Sequence, residues 1–171
     1  TNMFGQLGYP WAPDEYSVPI EETLQVLDDL VKAGKIRHIG VSNETPWGVA
    51  QYLRHSREKN LERIASIQNP YSLLNRTFEI GLSEFSRFEQ VSLLAYSPLA
   101  FGVLSGKYLN KQRPVKARLT LFERFTRYTG DNVDTAVADY VALAREIGIT
   151  PSQLALAFVN QQPFVASNLI G

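Results

Sequence analysis

The chain has 171 residues, enough for one domain with its own core, and we predict a single domain over residues 1–171. Its formal net charge is zero, which argues against nucleic-acid binding, and it has no cysteine, which excludes a disulfide framework and thiolate chemistry. Two histidines are too few for a histidine-rich metal site, no apolar run approaches the roughly 20 residues of a membrane span, and no secretory signal is present, so we expect a cytoplasmic protein.

Helical and strand patterns alternate along the chain. In order, they predict a loop over Thr1–Tyr16, a helix from Pro19 that stops near Gly34, a strand over Arg37–Val41, a helix opened by Thr45-Pro46, a strand over Ala65–Ile67, a helix over Glu79–Phe88 and a strand over Val91–Tyr96. There follow a long connection over Leu99–Val133, a helix over Asp134–Ile147, a helix introduced by a capping box at Thr150–Gln153, and a strand over Val165–Ile170.

Strands separated by helices imply parallel pairing, as in a doubly wound sheet or a (β/α)8 barrel. Three of the strands end in small polar clusters, Ser42-Asn43, Gln68-Asn69 and Ser97-Pro98, and in barrels the functional groups gather at those ends. A full barrel takes about 250 residues, so the four predicted strands would form half of one. The chain opens without an initiator methionine and stops directly after an apolar run, so we expect a fragment or a partial chain.

Four strings in these positions resemble the aldo-keto reductases. They are KAGKIRHIGVSN (Lys32–Asn43), IQNPYSLLNR (Ile67–Arg76), LLAYSPLAFGVLSGKY (Leu93–Tyr108) and TPSQLALAFV (Thr150–Val159). They occur in the family's order and spacing, and ARLTLFERFTRYTG (Ala117–Gly130) is similar to its bacterial Tas-like branch, which is related to potassium-channel β subunits. The resemblance implies an α/β fold of the (β/α)8 TIM-barrel type, of which this chain would carry about half, strands five to eight.

The resemblance implies hydride transfer from NADPH to a small-molecule carbonyl substrate, an aldehyde or a ketone. In the family a tyrosine donates the proton, assisted by a lysine, an aspartate and a histidine, all from the first four strands. None of the four can be placed in this chain, so we assign no catalytic residue and expect the chain alone to be inactive. The choice of NADPH over NADH rests on the resemblance alone, because the site of its 2′-phosphate typically lies just after strand eight.

Ser42 and Asn43 follow one strand and Gln68 ends the next, where a hydroxyl and two amides can pair both sides of a carboxamide. The resemblance assigns all three residues to the amide of the nicotinamide. The alternative is local capping, in which these side chains bond nearby backbone groups. The surrounding motifs favour the cofactor.

Tyr96 ends the VSLLAY strand and, by the resemblance, stacks on the nicotinamide; the alternative is packing in the core. The predicted phosphate-binding loop contributes Ser97, Pro98, Leu99, Ala100, Phe101, Gly102, Gly106 and Lys107. Its glycines allow close backbone approach, exposed N–H groups can bind phosphate, and Lys107 supplies positive charge; the alternative is a solvated turn. A nucleotide P-loop is rejected, because three residues rather than four separate the glycines and Tyr108 replaces the magnesium-binding hydroxyl.

Arg118 is a second predicted phosphate contact, since the related branch has an arginine at this point. Three aromatic residues of the same connection either line a substrate cleft or form the loop's own packing: Phe122, Phe125 and Tyr128. Arg124 and Arg127 are interpreted as solvated charges, and Trp11 falls where the family often borders its substrate.

Two other functions stay open. The protein could be a cofactor-binding regulatory subunit with slow or vestigial chemistry, as the potassium-channel β subunits suggest, or an inactive half-barrel. An intact set of the four catalytic residues would favour the enzyme over the regulatory subunit. Neither the substrate nor the oligomeric state is predicted by the sequence.

Overall fold

The computed structural model describes residues 18–122 and 124–170. Within them, the α-helices are α1 (Ile20–Lys32), α2 (Pro46–Lys59), α3 (Leu82–Glu89), α4 (Arg118–Leu121), α5 (Asp131–Glu146) and α6 (Pro151–Asn160). The strands are β1 (Ile39–Ser42), β2 (Ile64–Pro70), β3 (Ser92–Tyr96) and β4 (Val165–Leu169). Short 3-10 helices cover Thr77–Glu79, Ala100–Ser105 and Leu109–Lys111. The loop predicted over Thr1–Tyr16, with Trp11, lies outside the described residues.

The four strands form one sheet in the order β1-β2-β3-β4. β1 and β2 run parallel, with Ile39 opposite Ile64 and Ser42 opposite Gln68. Parallel neighbours need a crossover connection, and α2 supplies it between these two strands. The chain therefore has an α/β fold with a parallel sheet, and the predicted alternation of helices and strands is confirmed.

The sequence signals for helix N-termini are confirmed at α2 and α6. Pro46 is the first residue of α2, and the Thr45 hydroxyl accepts a hydrogen bond from the Gly48 N–H at 3.2 Å. At α6 the Thr150 hydroxyl accepts from the Gln153 N–H at 3.2 Å, while the Gln153 side chain accepts from the Thr150 N–H at 2.8 Å. This reciprocal pair is the predicted capping box.

Several element boundaries differ from the prediction. β2 runs on to Pro70, so Gln68 and Asn69 lie inside the strand rather than after it. The helix predicted over Glu79–Phe88 is divided, because the chain turns at residues 80–81 between a 3-10 helix and α3. Ile147, predicted on the apolar side of α5, is 53% exposed because it lies just past the last helical residue.

Contacts within the chain group into two compact units. The first comprises Thr1–Asn69 and Glu79–Leu94, and the second Pro70–Phe78 and Ala95–Gly171. The core of the first unit includes Leu24, Val49, Ile64, Ile67 and Leu93, all at most 1% exposed. The main core cluster of the second contains Ala100, Val103, Leu104, Tyr128, Val137, Val141 and Ala155. The assignment of residues 1–171 to a single domain stays a prediction.

None of the helices in the described ranges combines the length and the apolar composition that crossing a bilayer requires.

Candidate cofactor-binding site

In the first unit, the predicted carboxamide-binding residues lie together at the carboxyl ends of β1 and β2. Ser42 stands opposite Gln68 in the parallel register. The Gln68 carbonyl oxygen accepts two hydrogen bonds of 3.0 Å, one from the Ser42 hydroxyl and one from the Asn43 N–H. Asn43 itself has a left-handed φ of 53°. The sheet ladder thus fixes the backbone positions from which all three side chains project.

Local capping accounts for part of this arrangement. The Ser42 hydroxyl donates its hydrogen to a backbone carbonyl, so its oxygen is left as an acceptor. The Gln68 side chain, in contrast, makes no hydrogen bond within the described residues, and Ser42 and Asn43 are exposed. Ser42 can therefore accept from a ligand, and none of the described residues occupies the donors or the acceptor of the Gln68 amide.

Two residues to which the sequence analysis assigned no role support this strand end. Asn69 is 2% exposed, and its Nδ2 donates to the Glu44 carbonyl oxygen at 3.2 Å. Glu44 is 6% exposed, and its Oε1 accepts the Thr45 N–H at 2.7 Å. A Cβ on Gly48 would overlap the Glu44 carboxylate, so only glycine fits there without a shift. The sequence signal that could have identified them is a polar residue directly after Asn43 and another directly after Gln68.

In the second unit, Tyr96 ends β3 and is partly buried. Burial lowers the pKa of Arg127, but hydrogen bonds with the hydroxyls of Tyr96 and Tyr128 outweigh it and leave that pKa raised. Arg127 is exposed, as expected of a solvated charge, and its guanidinium also lies near the hydroxyls of Tyr96 and Tyr128.

The loop after β3 contains a cluster of left-handed residues. These are Ser97 (φ 55°), Ala100 (48°), Phe101 (60°), Gly102 (89°) and Gly106 (79°). Left-handed backbone is uncommon outside glycine and concentrates at functional sites. Pro98 is buried and Leu99 partly buried beneath this turn, which anchors it to the second unit.

The amide hydrogens of the two loop glycines are already used. The Gly102 N–H donates to the Leu99 carbonyl at 2.8 Å, and the Gly106 N–H donates to the Val103 carbonyl at 3.0 Å. These two amides are therefore not available to a phosphate, and the prediction that exposed N–H groups of the loop bind phosphate stays open for its other residues.

The glycines instead make room for neighbouring side chains. A Cβ on Gly102 would lie 2.8 Å from both Cε and Nζ of Lys107, and a Cβ on Gly106 would lie 2.8 Å from Val141 on α5. The Lys107 ammonium is 5.3 Å from the centre of the Tyr108 ring, and the residue is exposed. Lys107 thus lies across the left-handed turn with its charge accessible to solvent.

Arg118, the first residue of α4, is brought onto the same loop. Its guanidinium carbon lies 5.6 Å from the centre of the Phe101 ring and 5.7 Å from that of Phe125. Arg124 also packs on a ring, 5.1 Å from the centre of Phe125, so it is not simply a solvated charge. Arg118 therefore contacts Phe101 of the loop by a cation–π interaction, so these two predicted phosphate contacts lie side by side.

Phe122, Phe125 and Tyr128 line one cavity of about 590 Å³ within the second unit. Lys111, Arg113 and Thr120 are among its other lining residues. Phe122 and Phe125 also contact each other, with ring centres 6.0 Å apart. The loop packing is thus confirmed for Phe122 and Phe125, whereas a substrate role for the cavity stays a prediction.

The polar groups of the two units differ in what they can bind. Amides and a hydroxyl at a strand end match a carboxamide, and exposed lysine and arginine match phosphates. Over the part of the chain that the structure describes, no group of three or more His, Asp or Glu residues is placed to hold a metal ion.

Comparison with known proteins gives the same family as the sequence strings that contain these residues. The sequence model of the aldo/keto reductase family matches residues 10–171. The chain is 57% identical over 171 residues to "Protein tas" of Escherichia coli (strain K12), covering all of this chain and 49% of that protein. It is 40% identical over 164 residues to "Aldo-keto reductase" of Babesia bovis, covering 92% of this chain and 58% of that protein.

A more distant relative, "Uncharacterized oxidoreductase YrpG" of Bacillus subtilis (strain 168), is 27% identical over 155 residues, with 90% of this chain and 45% of that protein covered. The chain spans about half the length of the curated relatives it matches. The family match covers residues 10–171 and so includes every residue of the candidate site. The chain therefore belongs to the aldo/keto reductase family.

Proposed function

We propose that the protein carrying this sequence reduces aldehydes or ketones with NADPH, and that this chain supplies strands five to eight of a (β/α)8 barrel and much of its cofactor-binding surface. The observation that carries the proposal is the register of Ser42 with Gln68 at the carboxyl ends of two parallel strands. Ligands of α/β folds bind at those strand ends, where side chains from neighbouring strands converge.

In the first unit, the carboxamide of the nicotinamide would be held by complementary groups. Ser42 Oγ has donated its hydrogen to the Gln68 carbonyl, so it would accept the carboxamide N–H. The amides of Asn43 and Gln68 would pair the remaining carboxamide atoms. Fixing the amide fixes which face of the ring is exposed, and the bound cofactor supplies the hydride that reduces the carbonyl.

In the second unit, Tyr96 would stack on the nicotinamide ring, and the loop from Ser97 to Lys107 would lie along the phosphates. Lys107 and Arg118 would supply the positive charge, because the amide hydrogens of Gly102 and Gly106 are used within the loop. Charge-assisted contacts of this kind are about twice as strong as neutral hydrogen bonds. No residue of this chain is proposed to donate the proton to the substrate.

The test is a titration of the intact protein that carries this sequence with NADPH, followed by quenching of protein fluorescence. Gln68→Leu removes the uncommitted amide, and Gln25→Leu on the exposed face of α1 is the matched control. We expect saturable quenching in the parent and the control, and about tenfold weaker binding in Gln68→Leu, in line with the loss of a buried polar contact.

Intact mass on the same sample gives the length of the polypeptide under test. Saturable binding together with NADPH-dependent reduction of test aldehydes would support the enzyme. Binding without carbonyl reduction would favour a cofactor-binding regulatory subunit. Absence of binding in a folded, full-mass protein would refute the cofactor assignment.

A further inference from the structure

The end of the β1–β2 ladder is extended by a side chain. The last backbone hydrogen bond of the ladder runs from the Asn43 N–H to the Gln68 carbonyl, at 3.0 Å. The next one is made by Asn69, whose Nδ2 donates to the Glu44 carbonyl at 3.2 Å across 25 residues of sequence. Asn43 is therefore held on both sides by consecutive residues of β2.

These two hydrogen bonds matter because Asn43 has a left-handed φ of 53°. Left-handed backbone is unfavourable for residues other than glycine, and asparagine tolerates it better than most. Without the bond to the Glu44 carbonyl, the Glu44–Thr45 peptide could rotate, and the Glu44 backbone could then shift and carry the Asn43 side chain away from its position. The Asn69 bond opposes that rotation.

Glu44 is in turn fixed from its other side. Its buried carboxylate accepts the Thr45 N–H at 2.7 Å and lies over Gly48 in the first turn of α2, where the helix dipole favours negative charge. The Glu44 main chain is therefore a firm attachment point for the Asn69 amide rather than a mobile loop.

The other half of the Asn69 amide is not used in hydrogen bonding among the described residues. Its Oδ1 is buried and accepts no hydrogen bond from any described residue. A buried acceptor without a partner is unfavourable, so an apolar side chain of similar volume would serve the fold about as well. The structure thus gives Asn69 one favourable polar role, which is to hold the carbonyl of Glu44, the residue after Asn43.

We infer that Asn69 is a positioning residue for the nicotinamide carboxamide: by holding the Glu44 carbonyl, one residue beyond Asn43, it restrains the backbone on that side of Asn43 and so sets the direction of the Asn43 side chain. This inference rests on the proposed function, and it assigns Asn69 no contact with the cofactor. Its consequence is selective, because only the nicotinamide end of the dinucleotide should depend on Asn69.

The experiment compares two ligands in the intact protein by calorimetry. NADP⁺ carries the nicotinamide, and 2′-phospho-ADP-ribose is the same molecule without it. Asn69→Leu removes the donor and the unpaired acceptor at similar volume, and Asn69→Val removes both with a smaller side chain that suits a strand. Ser56→Ala is the matched control, because it removes a buried hydroxyl bond of 2.7 Å to the Leu61 carbonyl elsewhere in the first unit.

We expect both Asn69 variants to bind NADP⁺ about tenfold more weakly, the usual scale for loss of a supporting hydrogen bond, with affinity for 2′-phospho-ADP-ribose unchanged within twofold. Ser56→Ala should change neither affinity. Equal weakening of both ligands, or no change in either, would overturn the positioning role while leaving the proposed function intact. A parent protein that binds neither ligand would overturn the proposed function and this inference with it.

Discussion

The Lys107 side chain crosses the Cα of Gly102 so closely that a Cβ on residue 102 would lie 2.8 Å from both Cε and Nζ of the lysine. Gly102 also has a φ of 89° and lies in the left-handed turn that follows β3. The position of the proposed phosphate-binding charge therefore depends on the absence of a side chain five residues earlier in the loop.

Gly102→Ala should weaken NADPH binding, because it displaces the Lys107 ammonium. It should also lower the free energy of unfolding by about 1 kcal/mol or more through strain at positive φ. Gly34→Ala is the matched control, since Gly34 has a φ of 70° with nothing within 4 Å of its added Cβ. The control should lose similar stability in urea unfolding but keep its NADPH affinity; equal loss of affinity in both variants would contradict this explanation.

Substitutions of Tyr96 separate its ring from its hydroxyl. Tyr96→Phe loses the hydrogen bond with Arg127 but keeps the aromatic face, so NADPH affinity should stay within twofold. Tyr96→Leu removes the stacking surface and should cost about 1 kcal/mol of binding free energy, roughly a fivefold rise in Kd. Fluorescence titration measures both, and a larger loss in the phenylalanine variant would show that the hydroxyl, not the ring, matters.

Arg118→Gln should weaken NADPH binding about tenfold and reduce the dependence of Kd on salt, because a charged contact to phosphate is lost. Arg113→Gln is a suitable control, since Arg113 is an exposed arginine of the same connection. Titrations at low and high salt measure the effect. If the two variants show the same salt dependence as the parent, Arg118 does not contact the phosphates.

Asp28 makes the stability of the first unit depend on pH. Hydrogen bonds from the Lys32 side chain, 2.6 Å away, and from the Glu62 N–H lower the pKa of Asp28 below its ordinary value of 3.8. A carboxyl with a depressed folded-state pKa stabilises the fold above its unfolded pKa, and this contribution is lost as the pH falls through the folded-state value.

Urea unfolding at about pH 7 and about pH 3 should therefore show a smaller loss of stability with acid in Asp28→Asn than in the parent. Gln25→Leu, at an exposed and non-ionisable position of the same helix, should retain the parent's pH dependence. A parent-like acid response in Asp28→Asn would refute the assignment.

The capping box of α6 gives a prediction that is independent of function. Thr150→Ala should lower the free energy of unfolding by about 1 kcal/mol, and the effect of Gln153→Ala should be smaller once Thr150 is absent, because the Thr150 hydroxyl also donates to Gln153 Oε1 at 3.0 Å. Thr135→Ala, on the exposed face of α5, should change stability by less than about 0.5 kcal/mol. Additive effects of the first two substitutions would contradict the box.

The features that depend on residues close together in the sequence could be predicted from it. The order of the elements, the proline starts and caps of α2 and α6, and the polar strand ends at Ser42 and Gln68 all follow from short-range pattern. Helix caps and strand periodicity depend on contacts within three or four residues, so the sequence states them directly.

The part of the site that depends on distant residues was not predictable in the same way. Nothing in the sequence around Arg127 distinguishes it from other arginines of the connection, yet its guanidinium lies near the hydroxyl of Tyr96. The glycine amides at 102 and 106 could have faced a ligand, but the turn geometry directs them to carbonyls of their own loop. Which hydrogen bonds a left-handed loop closes depends on its φ values, and these are not encoded in glycine content alone.

The sequence by itself determined the family, the alternating helices and strands, and which residues stand at the strand ends, because these follow from local preference and from motif. Only the tertiary structure decided that Asn69 holds the Glu44 carbonyl and that Lys107 lies over Gly102. The first contact requires the register of β1 against β2, and the second requires the left-handed path of the loop; both are set by the packing of the whole unit rather than by any short stretch of sequence.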